Sequence, residues 1–301
     1  MSIAVIGAGT IGVGWAVVFA RAGHEVALYD PDPARREAAP AELSLRFGEL
    51  AEFGVLDREP APIALHARLE EALYEAEHVQ ECAPEDLALK RELFARLDAL
   101  APPGVPLASS SSALTASRFA PGRARVLVAH PGNPPHLLPI VELVPAPFTS
   151  EAVVDRVYAL LRDAGMSPVR LRREIDGFVF NRLQGAVLRE AYCLVRDGVV
   201  EVEDIDRVMR EGLGRRYAVI GPFETADLNT RGGIEEHARR LGPAYARMGA
   251  ERGQDDPWTP ELVAHVTAQR RALLPLTDWD ERVEWRDRML LALERARREA
   301  S

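Results

Sequence analysis

Three glycines near the start of the chain have the spacing of a phosphate-binding turn. Gly7, Gly9 and Gly12 form a G-x-G-x-x-G pattern after the apolar run at residues 2–6 and open a second apolar run at residues 11–22. This order predicts a strand, a tight turn and a helix. The first glycine permits the turn, the second lets the backbone approach a pyrophosphate, and the third allows close helix packing. The pattern therefore predicts dinucleotide binding.

The residues around this turn indicate which dinucleotide is bound. The N–H groups of Thr10 and Ile11 begin the helix and are available to phosphate oxygens. Asp30 follows the apolar run EVALY, where a Rossmann unit places the carboxylate that binds the adenosine ribose. Because a carboxylate there repels the 2′-phosphate of NADP, the sequence favours NAD, although Arg35 and Arg36 lie close behind and could compensate.

Polar residues also occur just past three later apolar runs. They are the stretch from Glu81 to Lys90, the serines Ser109 to Ser112, and His130. Ligands of open α/β sheets bind at the carboxyl ends of the strands, so we expect these residues to gather at one edge. Taken alone, His130 fits a buried histidine with a satisfied hydrogen bond better than a catalytic one. No second histidine and acid lie at triad spacing to activate a serine nucleophile, so a serine here is expected to donate a hydrogen bond to the substrate.

The elements that must position these residues alternate between strand and helix patterns. The sequence predicts an α/β fold in which a Rossmann-type, doubly wound parallel sheet (residues 1–177) is followed by a smaller all-helical domain (residues 178–301). The predicted strands are 2–6, 25–29, 78–83, 106–109, 126–129 and 140–144. The predicted helices are 11–22, 87–100, 178–196, 202–211, 233–248, 260–274 and 279 to the end.

Composition excludes several classes of function. The 301 residues are 47% hydrophobic and 28% charged, which suits a soluble protein of two domains. A net charge of −9 argues against nucleic-acid binding. We expect no membrane segment, because no apolar run approaches the roughly 18 residues that cross a bilayer, and no charged leader. Cys82 and Cys193 lack partners at metal-ligand spacing, so we expect reduced thiols, no metal and a cytoplasmic location.

Several motifs together resemble a known family. The segments GAGTIG, ECAPEDLALK, SSSSAL, HPGNPPHLLPIVELVP and EIDGFVFNRLQ, in this order, are similar to the L-3-hydroxyacyl-CoA dehydrogenase superfamily from Met1 to about Asn229. The segment GLGRRYAVIGPFETADLN is most similar to the lambda-crystallin branch, in which L-gulonate 3-dehydrogenase falls. The chain departs from the acyl-CoA enzymes in having HPGNPP instead of HFFNP and a longer segment before GPFE.

The resemblance implies roles for four residues. His130 would be the general base that takes the substrate hydroxyl proton, and Glu142 would orient its ring and stabilise the imidazolium. Asn181 would hydrogen-bond the reacting oxygen or the histidine, with domain closure as part of catalysis. Ser112 would donate a hydrogen bond to the substrate, although the run of four serines permits a slip of one residue.

The resemblance also implies further contacts. Glu85 and Lys90, the only lysine of the chain, would flank the nicotinamide ribose of NAD, and Asn133 would lie close to the nicotinamide. The family resemblance implies a homodimer. Arg216, within the distinguishing segment, is our candidate for a substrate carboxylate, because a guanidinium binds both oxygens at once. Arg215 and Arg216 could equally be a solvated pair or a dimer contact.

Three functions remain open at this point. The first is NAD-dependent oxidation of the 3-hydroxyl of a small β-hydroxy acid similar to L-gulonate. The second is oxidation of an L-3-hydroxyacyl-CoA or of carnitine. The third is a non-enzymatic, crystallin-like structural or cofactor-sensing protein, which the joint presence of Ser112, His130, Glu142 and Asn181 disfavours.

Overall fold

The computed structural model describes residues 1–218, 220–229, 233–252, 261, 265, 268, 272 and 275–300. Its contacts divide the chain into two compact units. The first comprises Met1–Arg182 together with Glu284–Ser301, and the second comprises Leu183–Val283. The predicted domain limits, 1–177 and 178–301, stay a prediction.

The first unit is built on an eight-stranded sheet of order β3-β2-β1-β4-β5-β6-β7-β8. Every neighbouring pair is parallel except β6 and β7, which are antiparallel. The predicted doubly wound α/β sheet is thus confirmed. The strands are β1 (Ser2–Ile6), β2 (Glu25–Tyr29), β3 (Ile63–His66), β4 (His78–Glu81), β5 (Leu107–Ser109), β6 (Val126–Pro131), β7 (Ile140–Pro145) and β8 (Ser167–Arg170).

Helices cover both faces of this sheet. They are α1 (Thr10–Arg21), α2 (Pro33–Glu52), α3 (Leu69–Leu73), α4 (Leu87–Leu100), α5 (Ala116–Phe119) and α6 (Glu151–Asp163). Alternate residues of β1 enter opposite cores, since successive strand side chains point to opposite faces. Ile3 and Val5 pack with α1, α2 and α6, whereas Ala4 and Ile6 pack with α3, α4 and α5. Burial on both faces explains why the β1 run is uniformly apolar.

The remainder of the described chain is helical, which confirms the all-helical character predicted after the sheet. The elements are α7 (Phe180–Arg196), α8 (Val202–Val208), a π-helix (Met209–Gly214), α9 (Arg215–Tyr217), α10 (Pro222–Leu228), α11 (Gly233–Glu251), a 3₁₀ turn (Leu276–Asp278) and α12 (Trp279–Ala300). Most of the helix predicted at 260–274 lies outside the described residues. No helix in the described part of the chain is long and apolar enough to span a membrane. The homodimer stays a prediction.

The C-terminal part of α12 belongs to the first unit and packs against it. Leu291 is only 1% exposed and joins the core that contains α1 and α2. Arg288 pairs with Glu52 at 2.7 Å, and Arg298 pairs with Asp57 at 2.8 Å. These ion pairs therefore connect α12 to the last residue of α2 and to the segment that follows it.

Candidate active site

The glycine turn between β1 and α1 has the shape that its spacing predicts. A Cβ atom at Gly12 would lie 1.7 Å from the carbonyl oxygen of Gly7, so only glycine allows α1 to start this close to β1. Gly7 has a φ of 111°, which an L side chain rarely adopts. A Cβ atom at Gly9 would meet nothing within 4 Å. The open space at Gly9, beside the first N–H groups of α1, suits a pyrophosphate.

Asp30 lies directly after β2 and is held against this turn. Its carboxylate accepts the N–H of Ala8 at 2.7 Å and the N–H of Asp32 at 2.9 Å. The side chain of Arg36 donates to the Asp30 carbonyl oxygen at 2.6 Å. The carboxylate is thus oriented beside the glycine turn, and its oxygens can accept further bonds from ribose hydroxyls. These residues fit the adenosine half of NAD.

A buried ion pair lies under the neighbouring loop, after β4. The Lys90 ammonium is 1% exposed and donates to both carboxylate oxygens of Glu81, at 2.8 and 3.0 Å, and to the carbonyl oxygen of Ala83 at 3.2 Å. Glu81 is fully buried and also accepts from Ser109 on β5. The three N–H groups of the ammonium thus have three acceptors within the protein. The ribose contact predicted for Lys90 stays a prediction.

Glu85 organises the loop that contains the four serines. One of its carboxylate oxygens accepts from the Ser111 hydroxyl, from the Ala113 N–H at 2.9 Å and from the Leu114 N–H at 3.0 Å. Burial raises the pKa of Glu85, but these hydrogen bonds and the charge of Lys90 outweigh it and hold the pKa below its ordinary value. Glu85 therefore stays ionised and ties the loop after β5 to the loop after β4.

The serine loop presents its side chains in opposite directions. Ser111 is 1% exposed, and its hydroxyl donates to Glu85 and interacts with the backbone of Leu114 at 2.8 Å. Ser112, the predicted substrate contact, has an exposed side chain. Of the two serines, only Ser112 can offer its hydroxyl to a ligand without breaking the loop.

His130 and Glu142 form a buried pair on β6 and β7. They occupy facing positions in the antiparallel register, and Nδ1 of His130 lies 2.9 Å from Oε2 of Glu142. His130 is 6% exposed and Glu142 is 3% exposed. A carboxylate accepts a hydrogen bond, so it favours the tautomer with a proton on Nδ1 and leaves Nε2 as an acceptor. The structure thus brings together the two residues predicted as base and orienting acid.

The second carboxylate oxygen of Glu142 is held by the segment that enters α7. It accepts the N–H of Val179 at 2.7 Å and the N–H of Phe180 at 3.0 Å. Burial raises the pKa of Glu142, but the hydrogen bonds from His130, Phe180 and Val179 outweigh it, so the pKa lies below its ordinary value. Glu142 is therefore a fixed anion beside the imidazole.

A strained backbone supports this arrangement. Phe178 has a φ of 49°, which is uncommon for a non-glycine residue, and it follows Gly177 with a φ of 73°. These two residues turn the chain before Val179 and Phe180 donate to Glu142. The fully buried Phe178 ring lies 5.5 Å from the His130 ring, between centroids. Backbone strain of this kind is often found at functional sites.

Asn181 and Asn133 complete the predicted set in the first unit. The Asn181 amide donates to the Ser112 carbonyl oxygen at 2.9 Å, so the start of α7 contacts the serine loop. The Asn133 side chain is exposed in the segment that joins β6 to β7, three residues after His130. Ser112, His130, Glu142 and Asn181 are thus connected through the described hydrogen bonds and the β6–β7 pairing.

Arg216 belongs to the second unit, on the short helix α9. Its side chain is exposed, whereas its neighbour Arg215 forms an ion pair with Glu211. The substrate contact predicted for Arg216 stays a prediction.

Two residues at the site were not singled out from the sequence. Glu81 anchors Lys90 and Ser109, and Ser111 anchors Glu85. The position of Glu81 at the end of an apolar strand was the available signal, because such a residue lies at the ligand-binding edge of the sheet.

Family models match nearly the whole chain. The 3-hydroxyacyl-CoA dehydrogenase NAD-binding domain matches residues 2–175, and the 3-hydroxyacyl-CoA dehydrogenase C-terminal domain matches residues 177–274. The described geometry of the glycine turn agrees with the first match.

The chain is similar in sequence or structure to several dehydrogenases and to lambda-crystallin homologues. A lambda-crystallin homolog of Bos taurus is 50% identical over 82% of this chain and 79% of its own length. L-Carnitine dehydrogenase of Streptomyces griseus subsp. griseus is 40% identical over 86% of this chain and 78% of its own. A crystal structure of 5-formyl-3-hydroxy-2-methylpyridine 4-carboxylic acid 5-dehydrogenase, an NAD⁺-dependent dismutase, has a TM-score of 0.83 at 28% identity and covers 98% of this chain and 97% of its own.

Proposed function

Since the chain belongs to the 3-hydroxyacyl-CoA dehydrogenase family and is an NAD-dependent oxidoreductase, we propose that it oxidises the 3-hydroxyl of a small β-hydroxy acid similar to L-gulonate. The observation that carries the proposal is the buried His130–Glu142 pair, 2.9 Å between Nδ1 and Oε2, at the edge of the sheet where ligands bind. The product is the corresponding 3-keto acid.

His130 and Glu142 together remove the proton of the substrate hydroxyl. Bound NAD would supply the acceptor for the hydride that leaves the carbon carrying the hydroxyl. Nε2 of His130 takes the hydroxyl proton as this carbon becomes a carbonyl carbon. The resulting imidazolium is stabilised by the Glu142 carboxylate, which two backbone N–H groups hold in place.

The substrate is held by the groups around this base. The exposed Ser112 hydroxyl donates a hydrogen bond to it, and Asn181, which contacts the Ser112 carbonyl oxygen, donates to the reacting oxygen or orients the histidine. Arg216 binds the substrate carboxylate through two parallel N–H···O bonds. Arg216→Ala should then raise the KM of acidic substrates, and an unchanged KM for all of them would remove Arg216 from the site.

The cofactor contacts follow the same scheme. Gly9 and the N–H groups of Thr10 and Ile11 bind the pyrophosphate, and Asp30 binds the adenosine ribose. Glu85 and Asn133 would contact the nicotinamide half. Lys90 acts there through the buried Glu81 and through Glu85, whose Oε2 lies 3.8 Å from the ammonium nitrogen.

Carnitine is the second candidate substrate. The 40% identity to an L-carnitine dehydrogenase over 86% of this chain favours it, and carnitine is also a β-hydroxy acid. It differs from L-gulonate in carrying a quaternary ammonium instead of several hydroxyl groups.

The two substrates are separated by measuring NADH formation at alkaline pH. L-Gulonate, L-3-hydroxybutyrate, L-carnitine and L-3-hydroxybutyryl-CoA are compared under equal conditions. We expect turnover of L-gulonate and slower turnover of 3-hydroxybutyrate. Turnover of carnitine alone would select the second candidate, and turnover of the CoA ester alone, or of none of the four, would overturn the proposal.

A further inference from the structure

The first unit contains a cavity of about 560 Å³ apart from the glycine turn and the His130–Glu142 pair. Its apolar wall is formed by Ala22 after α1, Leu50 on α2, Leu137 in the segment between β6 and β7, and Leu291 on α12. Small-molecule sites in proteins commonly enclose about 300–1,000 Å³. The cavity is therefore large enough for an organic ligand.

Charged side chains also line this cavity, and the acids among them are already paired. Asp57 and Glu294 accept from Arg298 at 2.8 and 3.1 Å. Asp163 accepts at 2.8 Å from Arg162, which lies outside the lining. Each acid of the lining thus has an arginine counter-ion.

Two arginines of the lining have no such partner. Among the described residues, Arg58 has no hydrogen bond or ion pair, and Arg21 donates only to the His136 carbonyl oxygen, at 3.0 Å. Burial lowers the pKa of Arg21, and the charge of Arg298 lowers it further, while the more distant charges of Glu294 and Asp57 only partly offset this. A guanidinium remains charged even so, and the partly buried charge of Arg21, which has no direct carboxylate partner, is unfavourable, whereas the exposed Arg58 is free to turn toward a ligand. An anion in the cavity would relieve this cost.

We propose that this cavity binds a small organic anion, a carboxylate or a phosphate ester, with its charged group on Arg21 and Arg58 and its apolar part against Leu50, Leu137 and Leu291. The planar guanidinium groups suit the oxygens of either anion. His136 and Leu137 belong to the segment that joins the strands of His130 and Glu142. The ligand therefore contacts the connection between the two catalytic strands while leaving the cofactor turn free.

The proposal is tested by calorimetric titration of the NAD-saturated protein with phenyl phosphate and with benzoate. Saturation with NAD keeps the probes away from the glycine turn, and the two probes distinguish a phosphate from a carboxylate ligand. We expect at least one probe to bind, and inorganic phosphate, which lacks the apolar part, to bind more weakly. Arg58→Ala should weaken binding of that probe about tenfold, the usual scale for one charged hydrogen-bonding group.

Two further variants make the result specific. Arg96→Ala is the matched control, because Arg96 is an exposed arginine on α4 with no described partner and lies outside the lining. It should bind the probe as the wild type does. Arg21→Gln should weaken binding as Arg58→Ala does, and the exposed Arg58 keeps the test valid if Arg21→Gln fails to fold. Failure of both probes to bind, or equal affinity in Arg58→Ala and Arg96→Ala, would overturn the proposal.

Discussion

His130 and Glu142 face each other across the single antiparallel strand pair of the described sheet, with 2.9 Å between Nδ1 and Oε2. Because side chains alternate between the faces of a sheet, a slip of one residue in this register would send the two groups to opposite faces. The chain reverses direction between β6 and β7, and this reversal brings a histidine and a glutamate twelve residues apart into contact.

The low pKa of Glu142 makes stability depend on pH. Hydrogen bonds from His130 and two backbone N–H groups hold this pKa below its ordinary value of 4.5, against the effect of burial. A carboxylate whose folded pKa is depressed stabilises the fold above its unfolded pKa, and that stabilisation is lost as pH falls through the folded value. The difference in urea unfolding between the wild type and Glu142→Gln should therefore be full near about pH 7 and should shrink as the pH falls below 4.5, through the folded pKa of Glu142. A difference that does not change with pH would contradict this.

Gly9 and Gly12 should respond differently to an added methyl group. Gly12→Ala places a Cβ 1.7 Å from the carbonyl oxygen of Gly7. We therefore expect the free energy of unfolding to fall by about 3 kcal/mol or more, with loss of NAD binding. Gly9→Ala meets nothing within 4 Å in the protein and should unfold at the same urea concentration as the wild type, yet bind NAD more weakly. Unchanged NAD affinity in Gly9→Ala would show that the pyrophosphate lies elsewhere.

Removing one partner of the buried Lys90–Glu81 pair should lower the stability of the fold more than removing both charges does. Lys90→Met leaves a fully buried carboxylate without its cation, and such changes cost about 3–5 kcal/mol. The double variant Lys90→Met, Glu81→Gln removes that charge and should recover part of the loss in chemical denaturation. A double variant less stable than Lys90→Met would argue against uncompensated charge as the cause.

Substitutions of the last two serines of the run, Ser111 and Ser112, should separate a structural role from a catalytic one. Ser111→Ala removes a buried hydroxyl that contacts Glu85 and Leu114, and it should lower stability by about 1–3 kcal/mol. Ser112→Ala changes an exposed side chain and should leave stability unchanged while lowering kcat/KM. If Ser112→Ala has wild-type kcat/KM, the substrate contact must come from another residue.

Local patterns explain which parts of the fold were predictable. The strand, glycine turn and helix of residues 2–21 and the helix α4 were predicted within one residue, because each is specified by contiguous apolar spacing and turn residues. The outermost strands β3 and β8 were not predicted. They are four residues long and partly exposed: β3 contributes only the short apolar run at 63–65, β8 has no apolar run, and Pro168 fits only an edge strand.

Contacts between distant segments explain what the sequence missed at the site. A lysine on an amphipathic helix is ordinarily solvated, and only the packing of α4 against β4 shows that Lys90 reaches Glu81. In the run of four serines, the residue types are identical, so only the backbone path distinguishes the buried Ser111 from the exposed Ser112.

The role of His130 as the base is tested most directly by kcat/KM of His130→Gln, measured as NADH formation on whichever of the four substrates the wild type oxidises fastest. Positioned general bases contribute about 10²–10⁴-fold to rates, so kcat/KM should fall by that factor while the dissociation constant for NAD stays unchanged. A His130→Gln variant with kcat/KM within about threefold of the wild type would show that another group takes the proton.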